Sequence, residues 1–102
     1  MTNNISPVVI CDTLPILQDQ SSVTYPLDLF IAINHKCTYH EQKILLALLA
    51  YNNFAPTIQD ILNFTGITAP NHYFKSRKGL EEKGYLSIDN KIIHINVDAI
   101  VN

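Results

Sequence analysis

The sequence predicts an α+β domain, mainly helical, in which a three-helix core runs directly into a short β-hairpin. Three observations predict it. Apolar residues repeat at helical spacing in three segments between Thr38 and Lys83. Each segment opens on a capping signal. After Gly84 the apolar period changes from that of a helix to that of a strand.

At 102 residues there is room for one hydrophobic core. Residues 1–27 read as an N-terminal arm and residues 28–102 as the folded domain. The arm carries Pro7, Pro15 and Pro26 and the polar run Gln18 to Ser22. Its apolar stretches, Val8-Val9-Ile10 and Leu14 to Leu17, are suited to docking, either on this domain or on a partner subunit. Phe30-Ile31-Ala32-Ile33 is short and apolar, and reads as a strand or the end of a helix.

The first of the three helices starts at Thr38. Thr38-Tyr39-His40-Glu41 is a capping box, in which the threonine hydroxyl accepts from a first-turn N–H and Glu41 reaches back. Ile44, Leu45, Leu48 and Leu49 follow at helical spacing. Leu46 and Ala47 widen the apolar surface, as expected of a central helix. Asn52-Asn53 ends it. A second helix follows Pro56, with Thr57 to Asp60 as its start and Ile58, Ile61 and Leu62 as its inner stripe. Thr65-Gly66 stops it. The third is expected to be capped by Thr68, to hold Pro70 in its first turn and to run to about Lys83. Tyr73, Ser76 and Leu80 share one of its faces, with Tyr73 and Phe74 expected in the core. Asn71, Lys75, Lys78 and Glu82 share another. Leu86 and Ile88, then Ile93, Ile95 and Val97, alternate with polar residues. Asp89-Asn90 between them suits a type I′ turn. Asp98 to Asn102 reads as a tail.

Composition limits function. An apolar fraction of 47% with 16% charged residues is that of a folded domain rather than a disordered chain. No stretch is long and apolar enough for a membrane span, and MTNNISPVVI has no basic start of the kind a signal peptide needs. Two cysteines, Cys11 and Cys37, are too few for a disulfide scaffold, and free thiols fit a cytoplasmic protein. The three glycines, 66, 79 and 84, form no phosphate-binding loop, and no nucleophile motif or carboxylate pair is evident. No catalysis, cofactor or small-molecule ligand is expected. His35, Cys37 and His40 lie close together, but no second hook completes a zinc site, so no metal is expected either.

The net charge is -2, yet five of the seven Lys and Arg residues lie between Lys75 and Lys91. Residues 71–80 carry three cations and no acid. A local field of one sign steers a polyanion whatever the total.

A short turn between the second and third helices makes a helix-turn-helix, and the hairpin after the third makes it winged. The run Thr57-Ile58-Gln59-Asp60-Ile61-Leu62, Thr65-Gly66-Ile67-Thr68 and Leu80-Glu81-Glu82-Lys83-Gly84-Tyr85-Leu86 resembles bacterial and phage winged helix-turn-helix proteins. Tyr73 to Lys78 is similar to the recognition helices of phage and plasmid replication initiators and small repressors. The resemblance covers about residues 38–97. It implies binding of double-stranded DNA, with the third helix in the major groove. Expected contacts come from Thr68, Asn71, His72, Lys75, Arg77 and Lys78, with Asn90 and Lys91 at the wing tip. Asn71 suits adenine and the lysines guanine or phosphate. Competing readings are a solvated face for Lys75 and Lys78, an i,i+4 pair of Arg77 with Glu81, and a solubilising role for Lys91.

The leading expectation is a small transcriptional regulator that binds DNA sequence-specifically. The alternatives are the DNA-binding domain of a replication initiator and a winged-helix module for protein–protein contact. One recognition helix per chain covers little DNA, so a homodimer is expected, with the arm or the first of the three helices at its interface.

Overall fold

A computed structural model describes residues 7–11, 16–19, 22–89 and 92–102. It is α+β and mainly helical, with ten elements among those residues: β1 (Val8–Cys11), β2 (Ile16–Asp19), β3 (Ser22–Thr24), α1 (Leu27–Lys36), α2 (Tyr39–Ala50), α3 (Ile58–Thr65), α4 (Pro70–Glu82), β4 (Leu86–Asp89), β5 (Ile92–Ile95) and α5 (Val97–Val101).

α2 is the central helix. Thr38 accepts from the Glu41 N–H at 3.3 Å, and the Glu41 carboxylate accepts from the Thr38 N–H at 2.9 Å, closing the expected capping box. Ile44, Leu45, Ala47, Leu48 and Leu49 are buried where α2 meets α1, α3, α4 and β1. Each such aliphatic side chain contributes roughly 1.5–3 kcal/mol by leaving water. Leu46 departs from the expectation and is exposed, on a side of α2 that the described residues leave partly open beside Phe64 and Thr65.

α3 opens on the same device, with reciprocal Thr57 and Asp60 bonds of 2.9 and 3.0 Å. Its inner side is Ile61, Leu62 and Thr65. Ile58, at the first helical position, is exposed rather than inner. Gly66 closes α3 at φ 76°, a conformation that a side chain would strain.

Thr68 does not cap α4. The cap position is Ala69, extended at φ -105° and ψ 115°, and Pro70 is the first helical residue. A proline at this point disfavours helical geometry in the residue before it, so the helix cannot start earlier. Tyr73 and Leu80 are buried as expected, whereas Phe74 is exposed on the flank of the helix.

The sheet has the order β1-β5-β4, with β5 antiparallel to β4 and parallel to β1. Asp89 pairs with Ile92, so two residues connect β4 to β5. Those two, Asn90 and Lys91, lie outside the described residues, and the expected turn type with them. Rows of side chains cross the sheet in register: Cys11, Ile95 and Leu86 in one, Val9, Ile93 and Ile88 in the next. The burial of alternate residues along β1 and β5 shows one face turned to the core.

Val8–Cys11 of the arm therefore docks on this domain. The chain after α2 holds it there. Val9 donates to the Phe54 carbonyl at 2.9 Å, Asn53 donates to the Val9 carbonyl at 2.8 Å, and the Cys11 N–H donates to Oδ1 of buried Asn52 at 3.0 Å. β2 and β3 form a separate antiparallel pair. The Phe30–Ile33 segment is helical, within α1, which buries Leu29 and Ile33 one turn apart. The C-terminal tail is also a helix. Asn96 caps α5, and Val97 opens α5 instead of continuing the strand. α5 packs on α1, and Lys36 Nζ donates to the Ile100 carbonyl at 2.8 Å.

Candidate nucleic-acid interface

α4 is held by one side and leaves the other to solvent. Tyr73 and Leu80 anchor it to the core, and Gly79 lets α2 approach closely. A Cβ at Gly79 would lie 2.6 Å from Oε2 of Glu41. Glu41 is buried, and its carboxylate takes the Lys83 ammonium as well as the Thr38 N–H. That hydrogen bond pushes the Lys83 pKa up and keeps the ammonium charged. Burial, and then the Glu41 charge, push the neighbouring Cys37 thiol up. One buried carboxylate thus fixes the start of α2, the end of α4 and the depth at which α4 sits.

With α4 so fixed, Asn71, Lys75, Lys78 and Glu82 all point to solvent. No acid among the described residues lies within ion-pair distance of Lys75 or Lys78. Arg77 and Lys83, the other cations of this run among the described residues, are engaged. Lys83 is bound to Glu41. Arg77 lies with Nε 3.6 Å from Oε2 of Glu81, its guanidinium over the rings of Tyr73 and Phe74 at 5.5 and 5.3 Å. The structure thus gives Arg77 the i,i+4 partner and a place on the flank of α4, away from the lysine face. Thr68 is exposed in the connection before α4. Asn90 and Lys91 lie outside the described residues.

His72 points from α4 towards the start of α2, where its ring stacks on His40 with centroids 5.3 Å apart and planes 29° apart. The two helices enclose an open cleft of about 580 Å³. Thr38 at the cap of α2 and His40 and Glu41 within it line one side, and His72, Lys75, Ser76, Lys78, Gly79 and Glu82 line the other from α4. Sequence reading missed the part played here by Thr38, His40 and Ser76. His40 and His72 are 32 positions apart, and no spacing rule links residues on two helices that meet only on folding.

No helix among the described residues is long and apolar enough to cross a membrane. No family model, curated protein or solved structure matches the chain.

Proposed function

We propose that this chain is a winged helix-turn-helix protein that binds double-stranded DNA sequence-specifically and acts as a small transcriptional regulator in the cytoplasm. The observation that carries the reading is the solvent face of α4, where Asn71, Lys75 and Lys78 stand together without an acidic partner among the described residues. α3, a short connection and α4 supply the two helices of the motif, and β4 and β5 supply the wing.

The physical fit is direct. A helix of 13 residues is roughly 20 Å long, and its diameter matches a major groove about 12 Å wide. Asn71, one turn before Lys75, is placed to meet a base edge, and the lysines follow the phosphates or guanines beside it. Solvated lysines lose little on docking, because they exchange water and counterions for phosphate. The net charge of -2 works against approach in general, so the local field of α4 must orient the encounter. We further propose a homodimer. β1 is already bonded to β5 on one side and to Asn53 and Phe54 on the other, which leaves the exposed side of α2 around Leu46 as the better interface.

The test is fluorescence anisotropy with duplex DNA at about 50 and 200 mM salt, where several phosphate contacts make affinity fall by orders of magnitude. Lys75→Ala and Lys78→Ala should each reduce the salt slope by about one. Asn71→Ala should cost about 1–3 kcal/mol at one base position and little elsewhere. Folded protein that binds duplex at neither salt would overturn the reading and favour a protein–protein module.

A further inference from the structure

The cleft between α2 and α4 is close to charge balance. Lys75 and Lys78 are its cations, and Glu41 and Glu82 its acids, with Glu41 already bound to Lys83. The groups that face the His40–His72 pair are Tyr39 and Glu41 from α2 and Lys75, Lys78 and Glu82 from α4. Counting Lys83 with Glu41, cations exceed acids by one when both imidazoles are neutral and by three when both are protonated. Each proton taken up by the pair therefore strengthens a local field that is already positive.

Stacking adds a second constraint. Two neutral rings 5.3 Å apart pack without cost. Two imidazolium rings at that distance repel each other, unless an anion accepts from both. A group that binds only the doubly protonated pair must then bind more tightly as pH falls. The cleft is open, and Thr38, Ser76, Lys75 and Lys78 line it together with the two rings.

We propose that the stacked His40–His72 pair, with Lys75 and Lys78, is a proton-controlled seat for a phosphate of the nucleic-acid backbone. The proposal rests on the DNA reading for the source of the phosphate, and on the cleft alone for the chemistry. It brings His40 into the interface and makes the start of α2 a second point of contact beside α4. Acidification strengthens binding through this seat without changing the base-reading position Asn71.

Sulfate is the probe of the seat, because it stays doubly charged from pH 5.5 to 8 while the imidazoles change. At pH 5.5, adding sulfate should shift the imidazole NMR resonances of His40 and His72 saturably. Those of His35 and His94, on other elements, should not move at equal ionic strength in chloride. The affinity should fall about tenfold or more by pH 8. The double variant His40→Gln with His72→Gln, at solvent-accessible positions, should fold normally and lose the response. A uniform response of all four histidines, or none at pH 5.5, overturns the seat. Duplex DNA then separates this proposal from the function it rests on. Tighter duplex binding at pH 6 than at pH 8, lost in the double variant, supports both. Duplex binding whose pH dependence survives in the double variant overturns the seat alone. A sulfate response without duplex binding keeps the seat and overturns the DNA reading.

Discussion

Gly79 is the residue on which the placement of α4 turns. Glycine in the middle of an exposed helix normally costs roughly 0.5–1 kcal/mol relative to alanine, so Gly79→Ala in isolation would stabilise α4. Here the added Cβ would meet the Glu41 carboxylate at 2.6 Å, and that carboxylate is buried and already bound to Thr38 and Lys83. The sign should reverse. Urea unfolding of Gly79→Ala is expected to show a loss of about 1–3 kcal/mol, and a gain in stability would mean that Glu41 moves freely. Tyr25 gives a second prediction at this scale. Its hydroxyl donates to the Leu49 carbonyl at 2.8 Å, and burial above all pushes its pKa up to about 12. The neutral form is thus favoured in the folded state. Its contribution is full below pH 10.0, the ordinary value, and is lost as pH rises towards about 12. Tyr25→Phe should remove that part of the alkaline fall in stability, at the cost of one hydrogen bond at neutral pH. An unchanged alkaline profile would place the titration elsewhere.

At the scale of the element, helix starts were the most legible feature. Thr38 with Glu41 and Thr57 with Asp60 each satisfy two first-turn donors through side chains three residues apart, so the device is written locally. Thr38→Ala and Thr57→Ala should nevertheless differ. Each loses a cap worth about 1 kcal/mol, but Glu41 also anchors Lys83, whereas Asp60 has no such second duty among the described residues. Thermal unfolding should therefore show the larger loss for Thr38→Ala, and equal losses would uncouple the cap from the buried pair. Helix ends and faces were harder to read. α5 carried a signal, Asn96 ahead of Val97 and Ile100, but the preceding strand alternation ran through Val97 and masked it. Phe74 and Leu46 looked apolar enough for the core. They are exposed because a helix buries only the face for which it has a partner.

For the whole molecule, β1 is what closes the fold. It pairs with β5 in parallel, places Val9 and Cys11 in the core, and makes three hydrogen bonds to the segment after α2, two to its backbone and one to the Asn52 side chain. Removing residues 1–11 would expose one edge of β5 and leave Asn52 and Asn53 without their partners. Such a truncation is expected to lose several kcal/mol, and Val9→Ala alone about 1–3 kcal/mol, by chemical denaturation. A truncated chain as stable as the full one would show that β1 is only an appendage. Val9 and Cys11, within residues 1–27, are buried in the same core as the helices.

The sequence by itself determined where α2 and α3 begin, where Gly66 ends α3, that the chain passes from helix to strand near Gly84, and that the cations gather on α4. These depend on residues a few positions apart, whose backbone and charge effects act before any tertiary contact exists. Tertiary structure decided the rest. Parallel pairing of Val8–Cys11 with Ile92–Ile95 joins residues more than 80 positions apart, and the approach of Glu41 to Gly79 and the stacking of His40 on His72 join two helices across a fold. No local preference encodes such contacts. They follow from which apolar faces find each other, and only then does a polar residue acquire the neighbour that gives it a role.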